Sequence, residues 1–158
     1  MVFGNGIMPS AEEYLLEWAR FYALNRDVHK KEIKDVKEKD GHLIMTLKEG
    51  TQEYVVSPEL NEKALSGLHK TQNMVIVTFN SKKSIDGIVA HWNQFSQFPN
   101  LTVIFVNPVS KLELKWAIRP HIHNQICDIK ALRPGLKSLA SGVDLINEEG
   151  IKKVLASA

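Results

Sequence analysis

Two continuous apolar runs with a patterned segment between them dominate the hydrophobic profile of this chain. The first, Met74-Val75-Ile76-Val77-Thr78-Phe79, ends at Asn80-Ser81, and the second, Leu101-Thr102-Val103-Ile104-Phe105-Val106, ends at Asn107-Pro108. Such β-branched runs predict strands buried on both faces, and the amphipathic stretch from Lys83 to about Phe98 predicts the helix joining them as a βαβ unit. The sheet core is expected on Val75, Ile76, Val77, Phe79, Val103, Ile104, Phe105 and Val106.

Upstream, Ser10-Ala11-Glu12-Glu13 reads as a capping box opening a helix to about Leu24. Its apolar residues (Tyr14, Leu15, Leu16, Trp18, Ala19, Phe21, Tyr22, Leu24) take up most of the circumference, so cover on more than one side is expected. Three strands should follow: a charged edge strand within Val28–Val36, then Leu43–Leu47 after the Lys39-Asp40-Gly41 turn, then Glu53–Val56 after Glu49-Gly50. This is an antiparallel meander. Leu60–His69 reads as helix.

Beyond Pro108 the pattern predicts a helix from near Ser110 on Leu112, Leu114, Trp116 and Ala117, interrupted by Pro120. Residues 121–127 read as a short strand or irregular turn. Pro134 can occupy the first turn of a helix to about Gly142, and Asn147 caps a last helix with Glu148 and Glu149 in its first turn.

The chain has 158 residues, enough for one domain burying about two-thirds of its unfolded surface. The expected fold is therefore a single three-layer α/β domain over residues 1–158, with residues 1–9 flexible. Its mixed sheet begins with the antiparallel meander, continues into the parallel βαβ unit and carries extra C-terminal helices. No apolar run approaches the roughly 20 residues of a membrane helix, so no membrane partner is expected. The first six residues lack the basic flank and apolar core of a secretory signal. One cysteine, Cys127, excludes an internal disulfide and makes a reducing cytoplasm the expected compartment.

Charge is unevenly spread. Residues 1–80 carry 10 Lys/Arg against 12 Asp/Glu (net −2), residues 81–143 carry 8 against 3 (net +5), and the last fifteen carry 2 against 3. The basic excess falls where a phosphate-bearing partner such as DNA or RNA would be met.

Candidate chemistry gathers in two places. Ligands of open α/β sheets lie beyond the C-terminal strand ends, where Asn80, Ser81, Lys82 and Lys83, with Asn107 on the neighbouring strand, would hold a phosphate or sulfate. Asn or Ser there also serves as a plain helix cap. Arg119, His121 and His123 form a polar island within the basic stretch. If extended, His121-x-His123 places two imidazoles on one face, with Cys127 and Asp128 beyond as further possible metal ligands. The spacing matches no strong metal signature, and the sequence leaves the identity of any cofactor unknown.

The order helix, three-strand meander, helix, strand resembles the restriction-endonuclease-like superfamily over roughly residues 10–107. The resemblance implies a divalent-metal site built from an Asp beside a hairpin and a (Asp/Glu)-x-Lys triplet on the third strand. Here that strand reads Glu53-Tyr54-Val55-Val56, without the lysine. Triplets occur elsewhere: Glu32-Ile33-Lys34 and Asp35-Val36-Lys37 before the hairpin, Glu113-Leu114-Lys115 and Asp128-Ile129-Lys130 far beyond it. The leading expectation is a nucleic-acid-associated binding or accessory protein of nuclease-like fold without intact catalysis. A metal-dependent hydrolase or nuclease using His121 and His123 is the first alternative. The second is an interaction subunit, homo-oligomeric through the terminal helices of residues 134–158.

Overall fold

The computed structural model describes residues 7–110 and 114–158. The expected flexibility of residues 1–9 thus falls mainly outside the described residues; residues 7–9 have no regular secondary structure, and Pro9 is buried.

Helix α1 (Ala11–Lys30) begins at the anticipated capping box: Ser10 accepts from the Glu13 amide, and Glu13 reaches back to the Ser10 amide. It runs two turns past Leu24, because helix propagation needs backbone bonds rather than apolar side chains. Its end is made by Asp27, whose carboxylate accepts from the amides of Glu32 and Ile33 at 2.8 and 3.0 Å, while Lys31 takes the left-handed conformation. Val28 is therefore helical and exposed, and strand β1 (Ile33–Lys39) starts later than expected.

β1 pairs antiparallel with β2 (His42–Leu47), and β2 with β3 (Thr51–Val56). The β1–β2 turn places Asp40 and Gly41 at positive φ, as a two-residue hairpin demands. A short helix α2 (Glu62–Ser66) replaces the longer one read over residues 60–69. Strand β4 (Asn73–Phe79) then runs parallel to β3, and β5 (Leu101–Val106) parallel to β4. The crossover between them is split at His91 into α3 (Lys82–Ala90) and α4 (Trp92–Phe95).

The helix expected from Ser110 through Ala117 is a correction. Leu112 lies outside the described residues, and Lys115–Ile118 form an edge strand, β6, antiparallel to β5. Apolar residues at 114, 116 and 118 suit a period of two as well as a helical turn. The open edge of β5 decides, since its backbone groups need partners. Trp116 stacks on its cross-strand neighbour Phe105 at 4.2 Å. Residues 121–127 are likewise neither strand nor turn: Pro120 starts helix α5 (Pro120–Ile126), its fixed φ being suited to a first helical position. A 3₁₀ turn, α6 (Leu132–Ser141) and α7 (Glu148–Ser157) complete the chain, with Asn147 capping α7 as anticipated.

Among the described residues the six strands form one mixed sheet in chain order, β1 to β6. Alternation along the buried strands feeds two cores. Val75, Val77, Phe79, Ile104 and Val106 pack beneath α1 and α7. Met74, Ile76, Leu101, Val103 and Phe105 pack beneath the helices on the opposite face. The result is a three-layer α/β architecture. Among the described residues no helix is long and apolar enough to cross a membrane.

Candidate functional site

The C-terminal ends of β4 and β5 hold their expected polar residues largely for internal use. Asn80 is buried; its amide nitrogen donates to the carbonyls of Ala140 (3.0 Å) and Asp144 (2.8 Å), and its oxygen accepts from the Trp116 indole (2.8 Å). Asn107 donates to the carbonyls of Val143 and Asp144 and accepts from the Val109 amide. Ser81 caps α3 by accepting from the Ser84 amide. The ammonium of Lys83 lies 2.5 Å from Glu148 and 3.3 Å from Glu59. These bonds, the one to Glu148 foremost, raise the Lys83 pKa, and the same contact holds the Glu148 carboxyl below its usual range. Lys82 is exposed. It borders a groove of about 760 Å³ whose other lining residues include Lys83, Glu59 and Glu148, so both signs of charge meet there.

The polar island is a helix, and that separates its histidines. Residues two apart on a helix project about 200° from one another, so His121 and His123 cannot share a metal as an extended segment would allow. His121 uses Nδ1 to donate to the Ser96 carbonyl at 2.9 Å. His123 meets Trp92 edge-on at 5.6 Å, and Arg119 donates to the Pro99 carbonyl. Cys127 contacts the Asp128 carbonyl, and the Asp128 carboxylate accepts from the Lys130 amide. Among the described residues no three His, Cys, Asp or Glu side chains stand close enough to hold a metal ion.

Two arrangements emerge that the chain order concealed. Across β2 and β3, His42 Nδ1 lies 2.6 Å from Glu53 Oε1, both partly buried beside the C-terminal end of α2. The second lies between α1 and β6. Trp18 and Tyr22, one turn apart, stack at 5.0 Å and 13°, and Arg26, a turn further, sits 5.4 Å from the Tyr22 ring. Lys115, arriving from β6, lies 5.4 Å from the same ring. With Phe21, Asn25 and Leu114 these residues line a groove of about 460 Å³. Reading every aromatic of α1 as core hid this groove. The signal was the spacing of Trp18, Tyr22 and Arg26 at successive helical turns.

No family model matches the chain, and no curated protein or solved structure matches it significantly.

Proposed function

We propose that this protein is a nucleic-acid-associated binding or accessory protein of nuclease-like α/β fold that lacks a two-carboxylate catalytic site. The observation that carries the reading is the α1–β6 groove, where Trp18, Phe21 and Tyr22 adjoin Arg26 and Lys115 and no carboxylate is among the described lining residues. Aromatic faces offer stacking surface for bases, and the cations offer contacts for phosphate. Another groove, beside Lys130 and Arg133, also has no carboxylate among its described lining residues, but there Arg133 is paired with Asp86 at 2.6 Å and Trp92 is buried.

The non-cutting half of the proposal is supported by what surrounds Glu53. Its partner across the strands is His42, and the residue two positions on is Val55, where the superfamily's triplet has lysine. Asp27 is engaged with backbone amides, and Asp35 is exposed on the edge strand β1.

Fluorescence anisotropy with labelled DNA and RNA should show binding that weakens with added salt. Absence of any binding at about 50 mM salt would overturn the reading, as would magnesium- or manganese-dependent cleavage abolished by Asp35→Ala for its non-cutting half. A protein-interaction role is the second reading, favoured by Ile122, Ile126 and Ile129, exposed at 42%, 81% and 63% on α5 and the turn after it.

A further inference from the structure

We propose that the α1–β6 groove accepts a single unpaired strand of nucleic acid in preference to a duplex; this rests on the reading above and gives that reading a substrate class. The bases would lie against Phe21 and Trp18, with Tyr22 stacked behind Trp18 and the sugar-phosphate chain passing Arg26 and Lys115.

Geometry supports this occupant in three ways. Phe21 is 44% exposed although it is a large aromatic on a twenty-residue helix whose opposite side is buried, so an apolar ring face is offered to solvent. Tyr22 is already held in a column by Trp18 below and Arg26 above, Arg26 donating to the Tyr22 hydroxyl at 3.1 Å. The platform is thus ordered before any ligand arrives, which lowers the entropy lost on binding. Finally, charge is complementary to a polyanion, because the described residues lining the groove include two cations and no carboxylate.

The same count argues against a duplex. Two cations neutralise about two phosphates, a slope of only about −1.4 in log affinity against log salt on a single strand. Electrostatics of that size cannot hold a duplex tightly. The remaining affinity has to come from stacking, worth roughly tenfold or more per base, and a duplex keeps its base faces covered. Lys83, the basic residue expected to hold phosphate at the end of β4, is already shared between Glu59 and Glu148.

The test compares fluorescein-labelled oligo(dT) and oligo(dA) with a duplex of equal length, each about 15 nucleotides, against the full chain, Phe21→Ala and Lys115→Gln. Both single strands should bind at least about tenfold tighter than the duplex. Phe21→Ala should weaken single-strand binding by roughly fivefold or more. Lys115→Gln should flatten the salt slope by about 0.7. Duplex binding as tight as single-strand binding would overturn this proposal and leave the broader function standing. No binding to any of the three, nor to an RNA strand of the same length, would overturn both. Single-strand binding unchanged in both variants, with melting curves like that of the parent, would remove the groove as its site. A concentration-dependent mass abolished by Phe21→Ala, with no effect on nucleic acid, would assign the groove to contacts between copies instead.

Discussion

Gly87 lies directly beneath the backbone of Leu60: a β-carbon on Gly87 would stand 1.9 Å from the Leu60 carbonyl oxygen. Helix α3 can approach the segment leading into α2 this closely only because position 87 has no side chain. In an unconstrained helix interior, Gly→Ala stabilises by about 1 kcal/mol. Here Gly87→Ala should instead destabilise the protein by about 1–3 kcal/mol or more, since backbone rather than a mobile side chain must move. Urea denaturation reads the sign directly. A raised midpoint would mean that the Leu60 segment yields without cost.

Asn80 joins the end of β4 to both β6 and the α6–α7 connection through three side-chain hydrogen bonds. Asn80→Ala leaves the partly buried Trp116 indole N–H without its partner, whereas the Asp144 carbonyl keeps its bond from Asn107 and the Ala140 carbonyl its bond from the Val143 amide. Leaving buried polar groups unsatisfied costs about 1–3 kcal/mol each when water cannot replace the partner. A loss of about 1–3 kcal/mol, most of it from the indole N–H, is expected by urea denaturation. A midpoint equal to that of the parent would show that water restores those bonds.

Lys83 and Glu148 predict a stability difference confined to a pH window. The Glu148 carboxyl is shifted below its ordinary 4.5, so its contribution is present above 4.5 and lost as pH falls through the lower, folded value. The Lys83 ammonium is shifted above its ordinary 10.5, so its contribution is present below 10.5 and lost as pH rises through the higher, folded value. The Tm gap between parent and Lys83→Gln should therefore be widest between these limits and close outside them. A gap independent of pH would contradict the ion pair.

Tyr54, buried on β3, has its phenol pKa pushed up to about 12, chiefly by burial, with Tyr22 adding to the rise and Arg26 opposing it. The unfolded chain releases this proton near 10, so stability is complete below 10 and falls as pH climbs toward 12. The loss attributable to Tyr54 is about 1.4 kcal/mol per pH unit across that interval. Tyr54→Phe should remove it. Urea midpoints of parent and variant at about pH 9 and about pH 11 should diverge; parallel behaviour would place Tyr54 in contact with water.

The central architecture was legible from local chemistry. β-branched runs at 74–79 and 101–106 became β4 and β5 at nearly those limits, because continuous apolarity leaves a strand no face to turn to water. Ser10, Asn147 and the Asp40-Gly41 turn acted where they stood, since caps and tight turns are satisfied within a few residues. The tertiary structure decided what local preference left balanced. Residues 115–118 became a strand because β5 had an open edge, and 120–126 became a helix because Pro120 could start one beside β5. The same arbitration reassigned the polar residues. Asn80 and Asn107 hold the α6–α7 connection, and Lys83 meets acids 24 residues before it and 65 after it, pairings that no local spacing could announce. The α1–β6 groove exists for that reason too: Trp18, Tyr22 and Arg26 are aligned by the helix, but only the folding of β6 brings Lys115 to the same ring.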